Sequence, residues 1–282
     1  MKEYPSFLFP YAYNILGTVD DAKDAIQDVL LKYSSKNITV ENERGYLIRG
    51  VINQSINLKE RLKKTQPHAI WLPEPVAMES SDQGFELREM VSYSLLFLLE
   101  RLTPKERAVF ILKEAFAYTH EEIAGVLPVT LENSRKLLSR AHKKVQQKEG
   151  KITSETKKEH FSQLEAIISA IRKKDLDTLH QLFAKDITLY ADGGKKVSVV
   201  RSYCDGVEDV SDLLIYVFHN FLTKHTVKPV VVNHQPALLY FLKDKVKVCQ
   251  VMEFTPGGRQ VRQVSAILDP LKLQNLEHMM LE

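Results

Sequence analysis

The spacing of apolar residues changes once along this chain, and that change limits the folds open to it. Up to about residue 147, apolar side chains recur three and four positions apart, the period of helices that bury one face. Past Gly150 two more helical stretches follow, over 155–183, with Leu164, Ile167, Ile168 and Ile171 on one side and Asp175 placed to cap the second. Then come short apolar runs between turn residues: 187–191, 197–202, 227–232, 238–242, 246–254 and 261–268, with one further helix over 210–222. Helices followed by several antiparallel strands describe an all-α part joined to an α+β part. A length of 282 residues suits two or three domains. No internal repeat or low-complexity tract interrupts the pattern.

The helical part divides in turn. Leu8, Tyr11, Ala12, Ile15 and Leu16 form the stripe of a first helix that Gly17 ends. Thr18 and Asp21 suit the start of a second, with Ala22, Ala25, Ile26, Val29 and Leu30 inward. A third, from about Arg44 to Lys64, carries Tyr46, Leu47, Val51, Ile52, Ile56 and Leu62. Pro67, Pro73, Pro75 and Gly84 break the rhythm over 66–85, which reads as a linker. Helices resume at about Glu86, with Thr103-Pro104 opening a new one.

Residues 119–145 read as two helices and a tight turn. Thr119 caps a short helix bearing Ile123, Ala124 and Leu127, Pro128 breaks it, and Thr130 caps the next. On that next helix Leu131, Ser134, Leu138, Ala141 and Val145 follow a buried stripe, while Asn133, Arg135, Lys136, Arg140, Lys143 and Lys144 fall on other faces. A helix-turn-helix with a basic outer face points to DNA, its second helix entering the major groove. Taken alone, the segment is equally a solvated helix pair rich in good helix formers.

Two other helices carry unusual charge. Asp20, Asp24 and Asp28 share one face, with Asp21 beside them. Like charges four residues apart cost a helix a few tenths of a kcal/mol, roughly, per pair, so stability alone does not call for the arrangement. It suits docking on a basic protein surface, with Gln27 adding hydrogen bonds, or simple solvation. The third helix runs through Asn53, Gln54 and Asn57 into Lys59, Arg61, Lys63 and Lys64. Its amides can read bases and its cations can hold phosphates, or the cations can merely favour the helix C-terminus.

Composition excludes little. A net charge of +3 leaves any nucleic-acid argument to local clustering. Cys204 and Cys249 match no metal spacing, and no metal site or cofactor is expected. With no leader-like or membrane-spanning stretch, a soluble cytoplasmic protein is expected, with no membrane association. Tyr190, Asp192, His219, His225 and His234 show no catalytic spacing, so no enzyme and no catalytic residues are expected.

In this order the parts resemble a bacterial sigma factor of the extracytoplasmic-function class. Residues 12–17 followed by 20–28 look like the sigma-2 domain, and 46–53 like its following helix. Leu102-Thr103-Pro104-Lys105-Glu106-Arg107 with the helix-turn-helix looks like the sigma-4 domain. Trp71-Leu72-Pro73-Glu74-Pro75, Asp192-Gly193-Gly194-Lys195-Lys196 and Asp269-Pro270-Leu271-Lys272-Leu273 are similar to strings of the subgroup with a fused SnoaL-like domain. The chain departs from that pattern at Lys195, Asp269 and Leu271, has Pro128 where the family often has Gly, and has Asn57 where it commonly has Asp.

The resemblance implies all-α sigma-2 (1–65) and sigma-4 (86–150) domains, a linker over 66–85, and an α+β SnoaL-like cone over 155–282. Core RNA polymerase would meet Asp20, Asp21, Asp24, Gln27 and Asp28. The promoter −35 element would meet Asn133, Arg135, Lys136 and Arg140, and the −10 element Asn53, Asn57 and Arg61. Trp71, Pro73, Glu74, Pro75, Asp192, Gly193, Gly194 and Lys196 would carry regulation between domains, and the cone could hold a small-molecule ligand. The competing reading is a DNA-binding regulator or repressor whose C-terminal domain senses a small molecule.

Overall fold

The computed structural model describes residues 4–35, 40–65, 70–78, 89–145 and 154–280. They form two compact units, one of residues 1–69 with 81–147, the other of 70–80 with 148–282.

The first unit is helical. Helix α1 (Tyr4–Leu16) ends at Gly17, whose φ of +86° suits a residue without Cβ. Around it pack α2 (Val19–Ser35), α3 (Glu43–Thr65) and α5 (Pro104–Glu114), the last preceded by α4 (Tyr93–Leu98) and a 3₁₀ turn at Leu99–Arg101. The expected stripes are buried, with three shifts: Tyr46 lies exposed beside Tyr33, and Leu30 and Leu62 are only half-buried. Thr103 and Glu106 form a full capping box at the start of α5. Helices α6 (His120–Val126) and α7 (Leu131–Val145) complete the unit. The expected starting point at Glu86, Gly84 in the linker and the chain past Val145 as far as Ser154 lie outside the described residues.

The second unit opens with α8 (Ser154–Lys173) and α9 (Leu176–Leu182), the latter capped by Asp175 as expected. Strands β1 (Phe183–Asp192), β2 (Tyr203–Asp205), β3 (Thr226–Val232), β4 (Gln235–Leu242), β5 (Lys245–Phe254) and β6 (Val261–Ile267) form one sheet in the order β2-β1-β6-β5-β4-β3. Helix α10 (Val207–Val217), closed by a π-helical turn at Phe218–Leu222, packs with α8 and α9 over one face. Leu238, Tyr240, Val248, Met252 and Val264 from the sheet meet Leu164, Ile167 and Ile171 from α8 in that core. Leu239, Phe241, Cys249 and Val251 alternate with them and are also buried, so both faces are covered. On β5 rest α11 (Pro270–Leu273) and a 3₁₀ turn at Gln274–Met280.

Two expectations fail here. Val197–Ser202 forms no strand: β1 is flanked by β6 on one side and by Tyr203–Asp205, paired with Thr188–Tyr190, on the other, so β1 has no edge left for it. The segment loops out from Gly193, whose carbonyl accepts a hydrogen bond from Val197 N at 3.1 Å, and Val200 stands exposed. The sheet is also not wholly antiparallel, because β1 pairs with β6 in parallel.

Candidate functional site

The helix-turn-helix is built from its caps. Thr119 Oγ1 accepts from Glu122 N (3.1 Å) and Glu122 Oε2 accepts from Thr119 N (2.7 Å), fixing the start of α6. That backbone bond draws the Glu122 carboxyl below its ordinary pKa. Thr130 Oγ1 accepts from Asn133 N at 3.2 Å to start α7, and His120 Nδ1 meets Ser134 Oγ at 2.9 Å where the helices cross. The buried face of α7 is Ser134, Leu137, Ala141 and Val145; Leu137 takes the place expected for Leu138, which is half-buried. Asn133, Arg135, Lys136 and Arg140 all point to solvent. Lys136 pairs with Glu132 at 2.7 Å, but an exposed pair of this spacing is worth only about 0.3–0.5 kcal/mol and yields to a stronger anion. Lys144 turns inward, its Nζ 2.7 Å from the buried Glu106 carboxylate.

On α2, Asp20, Asp24, Gln27 and Asp28 are exposed and Asp21 is half-buried, accepting a hydrogen bond from the Thr18 hydroxyl. Asp28 also accepts from Gln54 Nε2 at 2.7 Å. On α3, Asn57 and Arg61 are exposed, whereas the Asn53 amide donates to Arg49 O (2.8 Å) and to Val126 O (3.0 Å), at the end of α6. In this arrangement Asn53 is occupied by protein backbone.

Half of the basic cluster at the end of α3 is likewise internal. Lys59 is 1% exposed; its ammonium donates to Leu16 O (2.7 Å) and lies 3.0 Å from the Glu100 carboxylate. Arg107 forms an ion pair with the same carboxylate, and its Nε donates to Asn14 O at 2.8 Å. Lys63 donates to Glu100 O at 3.1 Å and to Leu102 O. Burial pulls the Lys59 ammonium down to about 7 against the opposing pull of Glu100. Burial also works to raise the Glu100 carboxyl, but Arg107 and then Lys59 outweigh it and hold it below its ordinary value. With Asn14 bridging Glu89 O and Val91 N, and Tyr11 stacked on Phe116 at 3.8 Å, this network binds α1 and α3 to the α4–α5 region. The sequence carried a signal for it: Lys59 and Lys63 continue the spacing of Ile52 and Ile56 along one helix face.

In the second unit the three quoted strings meet. Residues 70–78, expected to be spacer, form a buried extended segment beside β3. Val76 N donates to Asn233 Oδ1, Asn233 N to Val76 O, and Met78 N to Val231 O. Asp192 Oδ2 accepts from Leu72 N (2.9 Å) and from Lys272 Nζ (2.6 Å), while Oδ1 accepts from Gly194 N (2.8 Å). Lys272 Nζ also donates to Leu72 O at 2.6 Å and sits 4.3 Å from the centre of the Trp71 ring. The buried Glu74 carboxylate accepts from Asn275 Nδ2 at 2.6 Å. Gly194, at φ +61°, lies where a Cβ would come within 2.2 Å of the Asp269 carboxylate, which caps α11. Pro73 and Pro75 are buried, and Lys196 is exposed. Asp192 is thus taken up by Lys272 and backbone, and the His219 ring faces Ile171 O at 3.2 Å. Among the described residues no group of His, Cys, Asp and Glu could hold a metal ion, and no helix is long and apolar enough to cross a membrane.

Residues 92–145 match the family description "Sigma-70, region 4". The ECF RNA polymerase sigma factor SigJ of Mycobacterium tuberculosis is 30% identical over 202 residues, which are 69% of this chain and 65%, just under two thirds, of SigJ. SigI of the same species, a probable ECF RNA polymerase sigma factor, is 25% identical across 98% of this chain and 94% of its own length. The crystal structure of SigJ has the same fold over 95% of both chains, with a TM-score of 0.73 at 23% identity. The helical unit and the α+β, SnoaL-like unit are thus the expected pair of fold classes. With a region 4 in its helix-turn-helix and relatives of this kind, the chain belongs to the extracytoplasmic-function family of RNA polymerase sigma factors.

Proposed function

We propose that this protein binds core RNA polymerase and directs initiation at specific promoters, acting in the cytoplasm, with its C-terminal unit modulating that activity in cis. The observation that carries the reading is one compact body bearing both a solvent-facing acidic helix, α2, and a solvent-facing cationic helix-turn-helix. Asp20, Asp21, Asp24, Gln27 and Asp28 would dock on polymerase. Asn133, Arg135 and Lys136 would meet base edges of the −35 element and Arg140 a phosphate, and Asn57 and Arg61, with Asn53, would serve the −10 element.

Asn53 bears on how the factor is switched. It touches the helix-turn-helix backbone at Val126, so the two proposed reading surfaces lie side by side. The promoter elements are about two turns apart, roughly 70 Å at about 34 Å per turn. A compact unit of this size has a radius of gyration of roughly 14 Å. The arrangement is therefore a closed state, and promoter engagement requires the Lys59–Glu100–Arg107 network to part. Trp71, Pro73, Glu74, Pro75, Asp192, Gly193, Gly194 and Lys196 would pass the state of the C-terminal unit, including any small-molecule signal it takes, to the helices on either side of residues 70–80. Reconstituted transcription with core polymerase is the test. Promoter-specific initiation is the expected result; tight promoter binding by the protein alone, never followed by initiation, would overturn the reading.

A further inference from the structure

The helical face of the sheet is not completely filled. Between α8 and the β3 edge lies a cleft of 480 Å³, lined by Glu165, Ile168, Ser169, Arg172, Lys173, Val227, Pro229 and Leu238. That volume falls within the range that takes a small organic molecule. Its floor is apolar: Ile168 and Leu238 belong to the core, and Val227 and Pro229 face Tyr240 and Leu238 across the β3–β4 pair.

The rim is made of hydrogen-bond donors and cations. Arg172 and Lys173 stand at one end of α8's exposed face, and neither has a carboxylate within ion-pair distance among the described residues. Arg172 lies 6.0 Å from the centre of the Phe218 ring, and its charge reaches the buried Tyr240 hydroxyl, partly offsetting the rise that burial causes there. Ser169 adds a hydroxyl. Glu165, the lone acidic side chain of the lining, sits seven residues before Arg172, roughly 10 Å along the helix at about 1.5 Å per residue. The charge of Lys173 also acts on the Asp175 carboxyl just past the helix, so Arg172 is the cation left chiefly for a ligand's anion.

The strand edge argues against a peptide as the occupant. Pro229 has no amide proton to offer an added strand, and farther along β3 the edge at Val231 and Val232 is already taken by Ala77 and Met78. We propose that this cleft is a binding site for a small amphipathic monocarboxylate, its carboxylate on Arg172 with Lys173 adding charge, and its hydrocarbon body on Ile168, Val227, Pro229 and Leu238. The site deepens the small-molecule reading of the C-terminal unit and rests on it.

Calorimetric titration of the full chain with octanoate tests the proposal, with octanol and octylammonium as neutral and cationic partners of equal length. Octanoate binds saturably and the other two bind at least about tenfold more weakly, as an unscreened guanidinium–carboxylate contact requires. Arg172→Gln, a change at an exposed side chain, removes most of that preference, while Arg172→Lys keeps part of it. Val227→Trp, which fills the cleft from the half-buried β3 side of its floor, abolishes binding without lowering the thermal midpoint. Equal binding of the three ligands, an unchanged octanoate affinity in Arg172→Gln, or no octanoate binding at millimolar concentration would each overturn it. The readout needs neither polymerase nor promoter, so failure here leaves the transcription reading standing, and the reverse also holds.

Discussion

Asp192 shows how much one carboxylate can organise. Its two oxygens hold the amides of Leu72 and Gly194 and the Lys272 ammonium, so three stretches of chain depend on it. Breaking a buried ion pair by removing one member costs about 3–5 kcal/mol, because the other charge is left without a partner. Lys272→Met is therefore expected to lower the unfolding midpoint of the second unit in urea markedly, and the double variant Asp192→Asn with Lys272→Met to recover part of the loss. Trp71, the sole tryptophan, sits beside Lys272 and reports the transition by its fluorescence. At Lys59 the signs differ. Lys59→Met leaves Glu100 paired with Arg107 and is expected to be close to neutral, whereas Glu100→Gln leaves two buried cations facing each other and is expected to destabilise the helical unit by about 3 kcal/mol. The folded Lys59 titrates near 7 and the unfolded one at the ordinary lysine value, so between those two pH values the unfolded chain binds the extra proton. Stability gains from this group as pH rises through that window, and Lys59→Met loses that part of the slope in urea titrations across it.

At the scale of elements, what could be read from the sequence was whatever is decided locally. Thr119, Thr130 and Asp175 are caps in the structure because their side chains need only an amide two or three residues away. The helices of the first unit follow their apolar spacing. Val197–Ser202 failed because apolar alternation does not say whether a neighbouring strand is free to pair, and the parallel β1–β6 contact joins segments too far apart for any local signal. The basic end of α3 misled for a different reason: composition does not separate the buried Lys59 from the exposed Arg61, and only the position of Lys59 on the face of Ile52 and Ile56 does. Two predictions belong here. Reversing Asp24 and Asp28 to Lys is expected to weaken polymerase binding at least about tenfold while leaving the circular dichroism melt within a degree or two, since exposed charges contribute little to stability. Arg135→Ala is expected to cost about 1–3 kcal/mol of binding at the preferred −35 sequence and less elsewhere; uniform weakening across sequences would mark it as a phosphate contact.

For the whole molecule, the segment at residues 70–80 governs which experiments can be interpreted. It belongs to the second unit although the helices before and after it belong to the first. Deleting residues 155–282 therefore uncovers Leu72, Val76 and Ala77 as well as removing a domain. The deletion is expected to change promoter-specific initiation in either direction, and Asp192→Asn in the full chain to move it in the same direction; equal initiation from all three proteins at matched folded concentration would remove the regulatory role. The same segment also imposes an order on biosynthesis. Leu72 leaves the ribosome 200 residues ahead of its partner Lys272, a delay of roughly 10–40 s at about 5–20 residues per second. Until β3 follows, after the whole helical unit has been synthesised, the apolar run at 72–77 lacks the strand beside which it lies. A polypeptide halted before β3 keeps that run exposed to chaperones and proteases, and one halted before Lys272 and Asn275 still lacks the partners of Leu72 O and the Glu74 carboxylate, so the contacts of this segment also distinguish chains made through Asn275 from interrupted ones.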